Sequence, residues 1–403
     1  MKAIYLDNNA TTRLDPVVLD TMMPFLTEHY GNPSSIHGFA NPVRKAIENA
    51  RGQVASLLGA EYPTEIVFTS CASEANNTAI MSAVEALPDR KTIITSAVEH
   101  PAILSVCEHL ERQGYTIHRL GVDGQGRLDL DEYAVLLNDD VALVSVMWAN
   151  NETGTIFPVE IMAKMAKEKG ILFHTDAVQA VGKLAISLKD TSIDMLSFSG
   201  HKIHGPKGVG ALYVRRGTRF RPLLRGGHQE RGRRAGTENS AGVIGLGMAC
   251  ELAELHMPMI TGPIQDLRNK LQEELLAKIP AARITGDIEH RTPNTLNIAF
   301  DYVEGEAILL MLDQLGIAAS SGSACTSGSL EPSHVMRAMG IPYTAAHGSV
   351  RFSLSRYSRE KEIDQVITHL PMIIERLRSL SPYWQQNKPA LANHSDEFAP
   401  AYG

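Results

Sequence analysis

From about residue 16 to 260 the chain alternates two hydrophobic periods. The stretch "DPVVLDTMMPFL" offers Asp15 as an N-cap and Pro16 at the first helical position, which predicts a helix from there. "NPVRKAIENARGQVASLLG" repeats the pattern, with Asn41 read as the cap and Pro42 as the first helical residue. Val43, Ile47, Ala50, Val54 and Leu57 share one apolar stripe, and Gly59 closes the helix. Between such segments lie short, nearly unbroken apolar runs: "EIVFTS", "TIITS", "VALVSVMWA", "ILFHTDA", "MLSFSG" and "GALYVRR". Runs of this kind predict strands buried on both faces. Their alternation with helices implies an α/β architecture, a mainly parallel sheet with helical cover, whose ligands bind beyond the C-terminal strand ends.

Past residue 250 the pattern changes. "ELAELHMPMITGP" mixes helix signals with two prolines and places a boundary near 264. A helical pattern ("IQDLRNKLQEELLAKI"), strand-like "TLNIAF" and "VRFSLSR", and two further helical patterns follow. The expected organisation is a large unit over 16–263 and a smaller α+β unit made of 1–15 and 264–385. A polar, flexible tail occupies 386–403. A length of 403 residues suits two such units.

Composition narrows the partners. The net charge of −7 disfavours nucleic acid, whose binders carry a basic excess. There is no run of 18 apolar residues and no apolar segment in "MKAIYLDNNATT", so a cytoplasmic location without membrane contact is expected. The four cysteines, Cys71, Cys107, Cys250 and Cys325, form no C-x-x-C pair, which argues against a disulfide framework or a zinc site. His174 and Asp176 have ligand-like spacing but no third ligand nearby, so no metal is expected.

The polar residues at the predicted strand ends carry the chemistry. "ILFHTDAVQA" leaves Asp176 at the end of a buried strand, where a carboxylate is costly without a cationic or protonated partner, and places Gln179 one turn on. "MLSFSGHKIHGPKG" sets Ser199, His201 and Lys202 just past the next strand, with Lys207 a rival lysine that spacing does not exclude. "VSVMWANNETG" sets Asn150 and Asn151 at a third strand end. "FTSCASEANN" opens a helix with the small residues Ala72 and Ser73 in its first turn, an anion-binding arrangement. An acid, a lysine, histidines, amides and a phosphate-shaped cradle are what a pyridoxal phosphate site needs. The lysine carries the cofactor as a Schiff base and the acid keeps the ring nitrogen protonated. Each element also has a plainer reading: Lys202 as a solvated turn residue, Asp176 or His100 as a helix cap, Arg351 as a surface arginine on an edge strand.

"SSGSACTSGSL", residues 320–330, holds Cys325 among Ser, Gly, Ala and Thr, with no periodicity that would bury a thiol. The expectation is a mobile loop of about 320–332.

The motifs "YLDNNATT", "FTSCASEANN", "VEHPAIL", "NNETG", "HTDAVQAVGK", "SFSGHKIHGPKG", "RAGTEN" and "SSGSACTS", in this order, resemble the cysteine desulfurases of the NifS/IscS family. These belong to pyridoxal phosphate fold type I, the aspartate aminotransferase-like fold. The resemblance spans essentially the whole chain. "RRGTRFRPLLRGGHQERGRRAGTEN" and "SLEPSHVMRAM" make it closest to the nitrogenase-associated branch.

The resemblance implies that Lys202 binds pyridoxal 5'-phosphate, Asp176 pairs with the ring nitrogen and Gln179 bonds the ring hydroxyl. His100 stacks on the ring and moves protons. Ala72, Ser73, Ser199 and His201 hold the phosphate, and Thr237 reaches the phosphate of a neighbouring subunit, which requires a homodimer. Asn151 and Arg351 orient the substrate, L-cysteine, and the arginine fork suits its α-carboxylate. Cys325, as thiolate, takes the sulfur as a persulfide and delivers it to an acceptor, an iron–sulfur scaffold protein; alanine leaves. A selenocysteine lyase, an aminotransferase, which needs no such thiol, and a non-enzymatic assembly scaffold are the alternatives.

Overall fold

The computed structural model describes residues 3–321, 332–382 and 384. After a short strand β1 (Ile4–Tyr5) come the seven strands of the main sheet. They are β2 (Ile66–Thr69), β3 (Thr92–Ser96), β4 (Thr116–Leu120), β5 (Val141–Ser145), β6 (Leu172–Asp176), β7 (Met195–Ser199) and β8 (Gly210–Val214). Their order is β2-β8-β7-β6-β5-β3-β4. Strands β3 to β7 run parallel to one another, and β8 lies antiparallel between β2 and β7.

Every apolar run singled out above is one of these strands. Side chains alternate between two buried layers. Phe68, Ile94, Val144 and Leu196 face one core, and Val67, Ile93, Leu143 and Met195 face the other. Helices α1 (Pro16–Thr27) and α2 (Asn41–Leu58) supply Val18, Val43 and Val54 to the first layer. Helices α3 (Ala72–Ala86) and α4 (Pro101–Glu111) supply Ile80 and Ile103 to the second. Strand β4, "TIHRL", has no apolar run to announce it. It is an edge strand with Thr116 and Arg119 exposed, so burial did not demand an apolar sequence.

Asp15 caps α1 as expected, accepting from the Val17 N–H at 2.8 Å. Helix α2 departs from expectation. Ala40 occupies the cap and Asn41 is the first helical residue, its side chain accepting from Arg44 instead. A 3₁₀ turn over Gly38–Ala40 runs straight into the helix, so Asn41 enters with φ −61° and ψ −43°, already helical. Gly59 closes α2 in the left-handed region at φ 57°.

A second core gathers Leu6, Ile264, Leu271, Ile298, Phe352 and Leu370 around an antiparallel sheet. This sheet joins β9 (Ala282–Ile284) and β10 (Thr295–Phe300) to a later strand, Ser349–Ser353. Strand β1 pairs in parallel with β11, Ile317–Ala318, and Ser349–Ser353 is β12. The prolines in "MPMITGP" do not end the helix. Ser240–Leu255 and Met257–Lys278 meet at 54° across His256, and a π-turn over Ile260–Ile264 lies within the second segment. Among the described residues no single helix is long and apolar enough to cross a membrane; this bent pair passes that test only as a pair.

The Arg-rich segment is pinned to the edge strand by one buried charge. Glu230, at φ 48°, accepts from Arg51 Nη1 at 2.7 Å, from Arg51 Nη2 at 2.9 Å and from the Phe68 N–H at 3.0 Å. Removing one partner leaves the other buried and uncompensated. Glu230→Ala is therefore expected to cost about 3–5 kcal/mol in denaturant unfolding, and Arg51→Met with Glu230→Leu to be milder than Glu230→Ala.

Candidate active site

The C-terminal ends of β5, β6 and β7 open towards the segment 7–12, which runs between the two cores. Asp176, the last residue of β6, is buried, and its two oxygens each hold one N–H. Val178 N donates to Oδ1 at 3.0 Å, and Asn76 Nδ2 donates to Oδ2 at 2.6 Å from the second turn of α3. A carboxylate has about four acceptor positions, so Asp176 retains capacity for a protonated ring nitrogen.

Lys202 ends a 3₁₀ turn after β7, and its Nζ donates to the carbonyls of Asn9 and Ala10, each at 2.6 Å. Lys207, the rival lysine, is exposed. Gln179 donates from Nε2 to the Asn9 carbonyl at 3.0 Å and accepts at Oε1 from Lys183 at 2.5 Å.

His100 is the N-cap of α4, and its Nδ1 accepts from the Ala102 N–H at 3.1 Å. Capping assigns the ring hydrogen of the neutral imidazole to Nε2. Burial, then the opposing fields of Asp176, which raises it, and Lys202, which lowers it, leave the His100 pKa below its ordinary value. The capping reading of His100 holds in the structure, and the same ring feels Asp176 and Lys202.

The phosphate-side residues fall on adjoining turns. Ala72 and Ser73 open α3, whose N-cap Cys71 makes no side-chain capping bond, so the first-turn N–H groups stay available to an anion. A Cβ at Gly210 would lie 2.9 Å from the Cys71 carbonyl carbon and 2.7 Å from the Phe198 oxygen, so glycine lets β8 lie flush against this turn. Ser199 is buried at the end of β7, its hydroxyl 3.4 Å from the Val209 carbonyl. His201 contacts Thr11 Oγ1 at 3.1 Å, and burial with Lys202 and Lys207 lowers it to about 4, so it is neutral. Thr237 is exposed and lines a surface hollow with Ser70, Gly208 and Arg234, outside the group around Lys202.

On the substrate side, Arg351 is buried in β12, 4% exposed, which removes the surface reading. Its Nη1 donates to the Asn151 carbonyl at 2.9 Å and its Nη2 to Asp7 at 2.8 Å. Its Nε is buried without a partner among the described residues. An orphaned guanidinium N–H fits a carboxylate ligand. Asn150 is structural: its Oδ1 accepts from the Glu152 and Thr153 N–H groups. Cys325 lies outside the described residues. The chain before it is held where Ser320 pairs with the Arg351 backbone, and the chain after it where Ser333 Oγ donates to Glu152 at 2.6 Å.

Five polar residues join the site that the sequence reading passed over: Asn9, Asn76, Glu99, Glu152 and Lys183. All lie inside the quoted motifs. The four-residue spacing of Gln179 and Lys183, in a turn where the Val181 N–H bonds the Ala177 carbonyl, was the available signal. Glu99 is fully buried. Ser96 Oγ and the Met147 N–H both donate to Oε1, while Oε2 has no partner among the described residues. Burial, against the Ser96 and Met147 bonds, pushes Glu99 up to about 8, and burial pushes Glu152 up to about 7.

His174 is no ligand. It bridges Ser145 and Ser197 across three strands at 2.8 and 2.9 Å, and burial lowers it to about 3. No metal-holding cluster of three or more His, Cys, Asp or Glu occurs among the described residues. Cys107 and Cys250 are buried in helices, and burial pushes Cys107 up to about 12.

The aminotransferase class-V family matches residues 4–366. A cysteine desulfurase of Enterobacter agglomerans is 66% identical over 403 residues, covering 100% of both chains. The cysteine desulfurase NifS of Azotobacter vinelandii is 63% identical over the same span, again covering 100% of both. A solved NifS-like protein superposes with a TM-score of 0.87 at 39% identity, covering 93% of this chain and 100% of its own.

Glu99 generates a pH prediction. Its folded pKa stands above the unfolded value near 4.5, so unfolding releases a proton between about pH 4.5 and 8 and stability falls as pH rises through that window. Glu99→Gln, neutral throughout, should flatten the fall. Its advantage in thermal melts is expected to grow from about pH 5, reach a few kcal/mol near pH 8 and level off above.

Proposed function

The chain belongs to the aminotransferase class-V family and, within it, to the cysteine desulfurases, which are pyridoxal phosphate enzymes, and we propose that the residues gathered at the sheet ends carry this reaction on L-cysteine in the roles given below. One observation carries the reading. A buried carboxylate and a lysine follow the adjacent strands β6 and β7 and both act on a capped histidine after β3, and a buried arginine presents an orphaned N–H.

When bound, pyridoxal phosphate supplies an electron sink that permits loss of the substrate Cα proton and weakens the Cβ–S bond. Asp176, positioned by Asn76 and the Val178 N–H, faces the ring nitrogen and favours its protonated form. Gln179 donates to the ring oxygen, and Lys202 is the covalent anchor. Ala72, Ser73, Ser199 and His201 hold the phosphate, neutral groups with N–H or O–H donors.

Arg351 Nε meets the α-carboxylate of L-cysteine, and Asn151, whose carbonyl holds Arg351 Nη1, completes that side. His100 exchanges a proton at Nε2, since Nδ1 is committed to the helix. Cys325, as thiolate, attacks the substrate sulfur. A Cys325–sulfur bond forms as the Cβ–S bond breaks, Cβ takes a proton, and the products are alanine and a Cys325 persulfide.

The exposed Thr237 is available to the phosphate of a partner subunit, which supports a homodimer. The 63% identity to NifS supports an iron–sulfur scaffold protein of nitrogenase assembly as sulfur acceptor.

The purified protein and Cys325→Ala should both show the visible band of bound cofactor. Given L-cysteine and a reductant, only the parent should make sulfide and alanine in equal amounts; a fully active Cys325→Ala would remove the thiol from the mechanism. Arg351→Lys keeps the charge and loses the fork. It is expected to raise KM for L-cysteine about tenfold to a hundredfold, checked by steady-state kinetics.

A further inference from the structure

Lys183 is the least expected group near the site. It is buried, and no carboxylate among the described residues bonds it. Its Nζ donates to Gln179 Oε1 at 2.5 Å and to Asn9 Oδ1 at 3.1 Å. The charges it faces are Lys202 and Arg351, both cationic, and burial together with them holds its pKa well below the ordinary lysine value. A solvent-exposed lysine would be more stable, so a packing role does not account for it.

The geometry of Gln179 does. A glutamine amide can present either end to a neighbour, and the two ends differ in chemistry. Here Lys183 Nζ donates to Oε1, and Nε2 donates to the Asn9 backbone carbonyl, which accepts only. A flipped amide would forfeit the bond from Lys183 and set oxygen against oxygen at Asn9. The Asn9 carbonyl is held in place, because it also accepts from Lys202 Nζ at 2.6 Å. The second hydrogen of Gln179 Nε2 therefore stays on the site side.

We propose that Lys183 is a positioning residue that locks the Gln179 amide with its NH₂ group towards the cofactor ring oxygen. The inference rests on the reading of Gln179 as the donor to that oxygen. Loss of Lys183 leaves Oε1 without its donor, whereas Asn9 Oδ1 keeps Asn294 Nδ2 at 3.2 Å. The disturbance is thus confined to Gln179. A ring oxygen that loses its donor becomes more basic and favours the protonated form of the adjoining cofactor–lysine linkage, so the pH midpoint of the bound cofactor's visible spectrum rises.

The test titrates four holoenzymes by visible absorbance: the parent, Lys183→Met, Gln179→Ala and the double variant. Gln179→Ala should raise the midpoint by about one pH unit, the scale of a hydrogen bond to a charged group, and Lys183→Met should raise it by a similar amount. The double variant should shift no further than Gln179→Ala, because Lys183 acts through that amide. A midpoint unmoved by Gln179→Ala overturns the reading of Gln179 and the inference with it. A midpoint moved by Gln179→Ala but not by Lys183→Met, or a double variant equal to the sum of the two, leaves that reading standing and refutes the role of Lys183. Should Lys183→Met yield no holoenzyme, Lys183→Gln, whose amide presents either end, replaces it under the same outcomes.

Discussion

The site depends on the hydrogen bonding of Asn9. This side chain and its backbone are 2% exposed, and each polar atom is engaged. The N–H donates to Ser353 Oγ, and Nδ2 donates to the Asn151 carbonyl and Thr295 Oγ1. Oδ1 accepts from Lys183 and Asn294, and the carbonyl accepts from Gln179 and Lys202. Four of these partners belong to the main-sheet side and three to the second core. One residue therefore sets the register between the two halves, and it does so through Gln179, Lys183 and Lys202 on the main-sheet side. The cost of leaving any buried partner unpaired, about 1–3 kcal/mol each, makes the arrangement close to all-or-none.

Around that hub the interior separates charge by burial. Glu99 and Glu152 are pushed towards their neutral forms, and His174 and His201 are held neutral from the other side. Asp176 differs from these acids in having an N–H donor on each oxygen. His100 feels Asp176 and Lys202 together, and the two act on it in opposite directions.

Much of the scaffold was legible from periodicity. Each near-continuous apolar run is a strand of the main sheet, since parallel strands covered on both faces leave no room for polar alternation. What escaped has a local reason. Strand β4 lies at an edge, where solvent accepts polar residues. The start of α2 was displaced by one residue because a 3₁₀ turn feeds it, a context that the Asn–Pro pair does not encode. The prolines near 260 do not stop the helical run, because Pro258 falls in the first turn of the segment that starts at Met257 and Pro263 falls in a π-turn.

The sequence by itself determined which residue types stand at which strand ends: Asp176 after β6, Ser199 and Lys202 after β7, and the small residues opening α3. Periodicity fixes the strand ends, and chemistry restricts what a buried end will tolerate. Only the tertiary structure set the two lysines apart, turning Lys202 towards Asn9 and leaving Lys207 exposed. Only it showed that Arg351, distant by 175 residues from Asp176 in number, is buried against Asn151 and Asp7. It also showed that Asn9 and Lys183 both bond Gln179. Those facts rest on contacts between segments far apart in the chain. Such contacts leave no period to read, and they are fixed by where two packed cores bring their edges together.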